Sequence, residues 1–359
     1  MAIAFLAGVG SSNARAQGAE WNTAATAGGS WGIPSNWQGG IVPSGAANTA
    51  GFTLDFIAGA SVTLDGDRLI GTILSSGATP WNLDSGTGGT LTVAGITVIG
   101  GPVFVNTSLA GVDFAKEGNG TLVLSNPASG YSGAININAG TMSLVGSANY
   151  STAGNVLHLA SGATLDVTQL TSGFRYGGAP DTRMTLHDGD LLNGAGTVKG
   201  GLKVKSGGTV YPGENGVGTL TVEGKGLFET ASNWLVKLGT AVPGGLNESN
   251  GLDFSSGLTL EDGMNIIIDG NGLTFSAEQT YDYIIAKSGS SEFELGAVNF
   301  QLINFNLPGS ANPASFALSS IGQNLTLRFT PIPEPAFLWA GCFGAAAAIR
   351  ALRRRSGRA

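Results

Sequence analysis

The chain has 359 residues, of which 59 are glycine, 42% are hydrophobic and only 11% are charged. Disordered chains combine low hydrophobicity with high charge, so this composition predicts a folded protein. The segment from Gln17 to Pro333 holds 11 basic and 23 acidic residues, a formal charge of −12. That acidity argues against nucleic acid or an anionic membrane as a partner.

The N-terminus has the features of an export signal. An apolar run from Ala2 to Val9 precedes the tripeptide "ARA", in which Ala14 and Ala16 form the small-x-small pattern of a signal-peptidase site. Residues 1–16 are therefore predicted to be a signal peptide. No Lys or Arg precedes the apolar run, so either the true start lies upstream or the signal is weak, and we favour the upstream start.

Residues 17–88 are rich in tryptophan and are predicted to form an N-terminal capping β region. Trp21, Trp31 and Trp37 have two interpretations. Indole rings stack on apolar surfaces and keep an N–H for hydrogen bonding, which suits a sugar-binding platform. A repeat fold also needs an atypical unit to close its open end, and we favour this capping role.

From Gly89 onward, short alternating strands recur with similar spelling. They are "GTLTV" at Gly89–Val93, "GTLVL" at Gly120–Leu124, "GTMSL" at Gly140–Leu144, "ATLDV" at Ala163–Val167 and "GTLTV" at Gly218–Val222. In each strand two apolar residues lie two apart and therefore point to one face. One such strand cannot bury that face alone.

The spacing of these strands suits a stacked fold. Consecutive starts at Gly120, Gly140 and Ala163 are 20 and 23 residues apart, which fits one coil of a β-solenoid. We therefore predict an all-β protein with a right-handed parallel β-helix over residues 89–226, its strands stacked from about Thr90 to Glu223. The alternation alone also permits an antiparallel sandwich.

The segment 116–144, "KEGNGTLVLSNPASGYSGAININAGTMSL", resembles the autotransporter-associated β-strand repeat. The matching parts are the Gly-Thr-Leu strand from Gly120, the Tyr131-Ser132-Gly133 turn and the Asn-Ala-Gly-Thr run from Asn138. A related segment, "GTVYPGENGVGTLTVEG", spans 208–224. The resemblance implies a β-helical passenger of a surface protein. No array of alternating membrane strands fits after Gly224, so it implies the fold and not the autotransport route.

The strands change in style in residues 227–330. "NIIID" at Asn265–Asp269 and "YDYIIA" at Tyr281–Ala286 are more apolar than the Gly-Thr-Leu strands. We predict a β-sandwich-like or capping region here, so that a β-rich C-terminal region follows the solenoid.

Residues 331–359 have the order of a sorting signal. Pro333, Glu334 and Pro335 precede an apolar stretch, and arginines follow it at Arg350, Arg353, Arg354, Arg355 and Arg358. Arginines resist crossing a bilayer, so they hold the tail on the cytoplasmic side and orient everything upstream away from it. A short transmembrane helix is predicted at 336–352, which is brief for a segment that needs about 20 residues to span a bilayer.

This tail resembles the PEP-CTERM sorting signal of Gram-negative bacteria, in which a Pro-Glu-Pro motif precedes a short helix and a basic end. The resemblance implies recognition by an exosortase-type membrane transpeptidase at the inner membrane, removal of the helix, and transfer to the cell surface or extracellular matrix. The fixed φ of the two prolines keeps the peptide extended and accessible. The alternative is an ordinary membrane anchor.

Little in the sequence indicates chemistry. His158 and His187 lack a paired metal-ligand spacing. The carboxylates of Asp65-Gly66-Asp67 and of His187-Asp188-Gly189-Asp190 suit Ca²⁺, but Asp and Gly are also the residues that tight turns select, which we favour. The single cysteine, Cys342, lies in the apolar tail, so the body is expected to fold without a disulfide. We predict no catalytic residue, cofactor or metal.

The predicted function is that of an exported, non-enzymatic surface or extracellular-matrix structural protein, sorted by its C-terminal motif. Its partners would be the exosortase-type transpeptidase and exopolysaccharide. The alternative is a polysaccharide-binding adhesin or a polysaccharide-active β-helix enzyme. Against an enzyme, no Asp, Glu, Lys or Arg lies between Gly118 and Gly162.

Overall fold

The structure, a computed structural model, describes residues 18–126, 130–148, 155–171, 183–213, 216–242, 244, 246–276, 278–305 and 315–331. These residues form β-strands and three single-turn 3₁₀ helices, at Thr23–Ala25, Pro34–Asn36 and Gln38–Gly40. No helix in these ranges is long and apolar enough to cross a membrane. The predicted signal peptide and the predicted helix at 336–352 lie outside the described residues.

The strands are short and follow one another at close intervals along the chain. The first twenty are β1 Ala19–Glu20, β2 Gly28–Ser30, β3 Gly45–Phe52, β4 Ser61–Thr63, β5 Arg68–Ser75, β6 Trp81–Asp84, β7 Thr90–Val98, β8 Val103–Val105, β9 Ser108–Gly111, β10 Phe114–Glu117, β11 Thr121–Leu124, β12 Gly130–Tyr131, β13 Ile135–Ile137, β14 Thr141–Gly146, β15 Val156–Leu159, β16 Thr164–Leu170, β17 Arg183–Leu186, β18 Leu191–Gly194, β19 Thr197–Lys199 and β20 Gly201–Val204. They are followed by β21 Thr209–Pro212, β22 Thr219–Glu223, β23 Gly226–Phe228, β24 Asn233–Lys237, β25 Leu246–Asn247, β26 Gly251–Phe254, β27 Leu258–Leu260, β28 Asn265–Asp269, β29 Tyr281–Ser288, β30 Phe293–Leu295, β31 Asn299–Ile303, β32 Phe316–Ile321 and β33 Asn324–Phe329.

The chain divides into two compact units, Met1–Lys203 and Val204–Ala359. In the first unit, strands stack in parallel in the orders β1-β3-β5-β7-β10-β13-β15-β18 and β2-β4-β6-β8-β11-β14-β16-β19. Thr121 lies opposite Thr141 and Thr141 opposite Thr164, which are the 20- and 23-residue steps seen in the sequence. Parallel stacking of the Gly-Thr-Leu strands is confirmed, and the antiparallel alternative is wrong for them.

Alternation explains why these strands stack. Leu122 and Leu124 of β11 are fully buried, as are Leu165 and Val167 of β16 to within 2%. Each such side chain contributes about 1.5–3 kcal/mol when it leaves water, but only if a neighbouring coil covers it. The outward Thr121 is half-buried on the opposite face. The core of the unit is therefore a continuous column of apolar side chains shared between coils.

Glycine at the turn before each strand is a steric requirement in this repeat. Gly140 has φ +64°, and a Cβ there would lie 2.5 Å from the Gly120 carbonyl oxygen and 2.6 Å from that of Gly118. Side chains rarely adopt that backbone conformation, and the preceding coil leaves no room for one. The "NAGT" spelling thus reflects the close approach of successive turns.

The second unit also contains parallel coils, but they are longer. Leu220 lies opposite Leu252 and Leu252 opposite Ala286, steps of 32 and 34 residues. The extra length holds a third strand in each coil, and these strands form the sheet β23-β27-β30. The region predicted as sandwich-like or capping thus has parallel pairing up to Ile303, followed by antiparallel pairing of β33 with β29 and β32.

An aromatic cluster accompanies the antiparallel strands. Phe329 packs against Phe316 at 4.6 Å, Phe275 at 5.2 Å and Tyr281 at 5.4 Å between ring centroids. All four rings are at least 94% buried. Because this cluster follows the last parallel strand, β31, it provides the apolar contacts that a further coil would otherwise supply.

Candidate functional site

The three N-terminal tryptophans are buried together. Trp21, Trp31 and Trp37 are at most 1% exposed. Trp37 lies edge-on to both of the others, with ring centroids 4.8 Å from Trp21 and 5.0 Å from Trp31. Such edge-to-face pairs add about 0.5–1.5 kcal/mol beyond the burial of their area.

Their indole N–H groups are also used internally. Trp37 donates to the Trp31 carbonyl at 2.7 Å, Trp21 to the Ala25 carbonyl at 2.9 Å and Trp31 to the Pro43 carbonyl at 3.3 Å. Neither ring faces nor N–H groups remain for a ligand, so the sugar-platform interpretation of these three residues is wrong. They form the apolar core of the first coil.

Two aromatic residues that the sequence analysis did not single out extend this cluster. Phe52 lies 5.6 Å from Trp21 and from Trp37, and 4.5 Å from Trp81 of β6, between ring centroids. Trp81 in turn donates its N–H to the Ser75 hydroxyl at 3.0 Å. The aromatic core therefore joins the first coil to the coils above it. Inward positions on β3 and β6 were the signal for these residues.

The carboxylates of the Asp65-Gly66-Asp67 turn bind the backbone of a neighbouring coil. Asp65 accepts from the Thr87 N–H at 3.0 Å, and Asp67 accepts from the Thr90 N–H at 2.9 Å. Within the described ranges, no group of three His, Cys, Asp or Glu residues has the arrangement of a metal site. These oxygens hold two turns together, which is the turn interpretation rather than the calcium one.

Asp65 is the carboxylate most affected by its neighbours. Hydrogen bonds, first from the Thr63 hydroxyl and then from Ser30 and the Thr87 backbone, lower its pKa from 3.8 to about 2. The ionised form is therefore favoured in the folded state.

Replacing Asp65 by asparagine is expected to change the acid sensitivity of the protein. Because the folded pKa lies below the unfolded one, the carboxylate's contribution to stability is complete above about pH 4 and is lost as the pH falls towards 2. The difference in urea midpoint between Asp65→Asn and the parent protein should shrink between pH 4 and pH 2. The control is Glu223→Gln, at an exposed residue of β22. A difference that stays constant over this range would contradict the assignment.

The second acidic turn is organised in the same way. The buried Asp190 accepts from the His187 N–H at 2.8 Å and so caps its own turn. His158 shares a hydrogen bond of 2.8 Å with Asn193, which lies opposite it on the next coil. Both histidines thus lie in contacts that hold turns or coils together.

Lys116 is a buried cation that the sequence analysis did not identify. Its side chain is fully buried, and its ammonium donates to three backbone carbonyls, those of Glu117 at 2.9 Å, Gly118 at 2.7 Å and Ala139 at 3.0 Å. Burial lowers the pKa of Lys116 from 10.5 to about 8. The ammonium links two successive turns, because Ala139 belongs to the coil that follows. Its inward position on β10, two residues after the buried Phe114, was the available signal.

Outward polar side chains of the first unit bind one another from coil to coil. The Ser61 hydroxyl donates to Asp84, the Asn106 amide donates to Asp84 at 2.8 Å, and the Ser125 hydroxyl donates to Asn106 at 2.6 Å. Four coils are joined by this series. The surface of the unit here is satisfied internally.

The second unit has a comparable series. Asn265 donates to Asn233 at 3.0 Å, and the Thr259 hydroxyl donates to Glu294 at 2.8 Å. Asn304 donates to Asp269 at 3.0 Å. Pairing between neighbouring coils is therefore the usual state of outward polar groups in both units.

The predicted sorting and cleavage residues fall outside the described residues. They are Ala14, Ala16, Pro333, Glu334, Pro335, Arg350, Arg353, Arg354 and Arg355. Their roles stay predictions.

Comparison with known proteins supports the repeat resemblance. Residues 114–144, which hold β10 to β14 and Lys116, match the family model described as "Passenger-associated-transport-repeat". The match covers the segment in which the resemblance was found. It concerns one repeat and not the whole chain.

The chain is also similar to the "Adhesin BmaC autotransporter" of Brucella suis biovar 1 (strain 1330). The two are 31% identical over 234 residues, which is 60% of this chain and 6% of the relative. The chain thus spans a small part of the length of that relative. The similarity lies within an adhesin whose remaining length has no counterpart here.

Proposed function

We propose that this protein is an exported surface protein or extracellular-matrix component of the passenger type, with an adhesin-like, non-enzymatic role. The observation that carries the proposal is the parallel stack of coils around the passenger-associated repeat at 114–144. The similarity to an autotransporter adhesin over 60% of the chain supports it. In this proposal the stacked coils form a stable scaffold and the outward side chains carry binding.

The proposal includes right-handed winding of the coils. Connections between parallel strands of one sheet are right-handed in about 98% of cases, because strand twist favours that hand. The apolar core and the coil-to-coil hydrogen bonds favour a structural role over catalysis, since they engage the carboxylates of Asp65, Asp67 and Asp84. The alternative remains a polysaccharide-binding or polysaccharide-active β-helix protein.

The route to the surface is the second part of the proposal. The Pro-Glu-Pro motif at 333–335 would be recognised by an exosortase-type transpeptidase while the segment 336–352 holds the chain transiently in the inner membrane. A charge near the bilayer centre costs about 2.5–3.5 kcal/mol per residue on insertion scales, so the tail arginines would keep the motif on the far side from the cytoplasm.

Replacing Pro333, Glu334 and Pro335 by alanine is expected to leave an uncut, membrane-retained protein in a host that carries the processing enzyme. Mass spectrometry of the surface or secreted fraction should find the parent protein without Arg353 to Ala359. Pro331→Ala, outside the motif, is the control and should be processed normally. A surface form that retains the arginines, or an alanine variant that is still cut, would show an ordinary anchor.

A further inference from the structure

One groove of the second unit departs from the pairing of outward polar groups. It has a volume of about 330 Å³ and lies over β22, β26 and β29. Thr221 of β22 is opposite Asp253 of β26, and Asp253 is opposite Lys287 of β29. Neighbouring strands are about 4.8 Å apart, so a hydroxyl, a carboxylate and an ammonium follow one another across the groove at that spacing.

These three side chains have no partner within the described parts of the chain. Neither Asp253 nor Lys287 forms an ion pair, although their backbones are neighbours in the sheet. The contrast is with Glu294 and Asp269, whose carboxylates accept from side chains on an adjoining coil. A half-buried carboxylate without a donor has lost part of its hydration and gained nothing in exchange.

The floor and wall of the groove are suited to a flat ligand. Gly251 forms part of the floor, and a Cβ there would approach the Ile285 carbonyl oxygen to 3.0 Å. Ser249 fixes one wall because its hydroxyl donates to the Ile284 carbonyl at 2.9 Å. The Ile284 side chain is half-buried and lies on the lining, where it presents an apolar surface among the polar groups.

We propose that this groove binds a neutral, polyhydroxylated chain, that is, a neutral glycan. The Asp253 carboxylate accepts hydrogen bonds from sugar hydroxyls, Lys287 donates to them, and Thr221 does either. The apolar Ile284 covers the C–H face of a sugar ring. The acidic body, with a formal charge of −12 from Gln17 to Pro333, repels polyanions, which selects a neutral polymer. This inference rests on the adhesin role proposed above and names its ligand class.

The test is binding of the full-length chain to defined oligosaccharides by isothermal titration calorimetry. The probes are cellohexaose and maltohexaose as neutral glycans and hexagalacturonate as the polyanion. At least one neutral probe should bind, and hexagalacturonate should bind more weakly. Loss of one charged hydrogen-bonding group typically weakens binding about ten-fold or more, so Asp253→Ala and Lys287→Ala should each raise the Kd by that factor.

The matched control is Glu223→Ala, two residues after Thr221 on β22 and exposed outside the groove lining. Its Kd should equal that of the parent chain, and circular dichroism should show the same β content in all variants. Absence of neutral binding, tighter binding of hexagalacturonate, or equal weakening by Glu223→Ala would overturn the groove. Binding that survives while the protein is found unexported would overturn the surface role alone.

Discussion

Trp37→Ala is expected to lower the free energy of unfolding of the first unit by about 3–5 kcal/mol, the usual cost of truncating a buried large aromatic residue. The variant loses the edge contacts with Trp21 and Trp31 and leaves the Trp31 carbonyl without its donor. Because each coil contacts only its neighbours, opening should begin at the N-terminal coils. Hydrogen exchange should therefore rise first in residues 19–64.

The control for this prediction is Ile33→Ala, since Ile33 lies in the same segment and is 47% exposed. A surface change of this kind is expected to stay within about 0.5 kcal/mol. Chemical denaturation followed by tryptophan fluorescence and by circular dichroism measures both variants. Equal destabilisation by the two substitutions would mean that the tryptophan cluster does not hold the first coil.

Lys116→Ala is expected to destabilise the repeat at 114–144 by about 3 kcal/mol. The substitution removes the donors of three carbonyls, and each buried carbonyl left without a partner costs about 1–3 kcal/mol. It also removes the aliphatic stem that fills the space between β7 and β13. The loss should appear as faster hydrogen exchange at Phe114–Leu144, with smaller changes in distant coils.

Two variants separate the parts of this effect. Lys116→Met keeps most of the apolar stem but supplies no donor, so it should recover only the packing share. Lys225→Ala is the surface control, because the Lys225 side chain is 60% exposed and its 3.8 Å ion pair with Glu292 contributes at most about 1 kcal/mol. If Lys116→Met were as stable as the parent protein, the three hydrogen bonds would contribute nothing.

The parallel stacking of the first unit was predictable from the sequence because two signals agree there. The strands starting at Gly120, Gly140 and Ala163 repeat a spelling, and their spacing equals one coil. In the second unit the coil is longer by one strand, so no short period remains. Apolar alternation alone does not distinguish parallel from antiparallel neighbours, which is why 227–330 was predicted as sandwich-like.

The binding groove was beyond prediction for a different reason. Thr221, Asp253 and Lys287 are 32 and 34 residues apart, and only the register of the sheet shows that they are adjacent. Lys116 illustrates the same limit, because a lone lysine between Ala115 and Glu117 looks like a solvent-exposed charge. Its burial depends on carbonyls of two turns, which the linear sequence does not bring together.

The uneven length of the coils in the first unit has a consequence for inserted sequence. Ile135 pairs with Leu157 across 22 residues, whereas Val156 pairs with Leu191 across 35, yet both pairs keep the same parallel register. About a dozen additional residues are therefore accommodated between β16 and β18 without displacing the strands on either side. The free energy of closing a loop grows only slowly with its length. This position should accept a foreign peptide, such as an epitope tag, while the stacked strands around it fold as before.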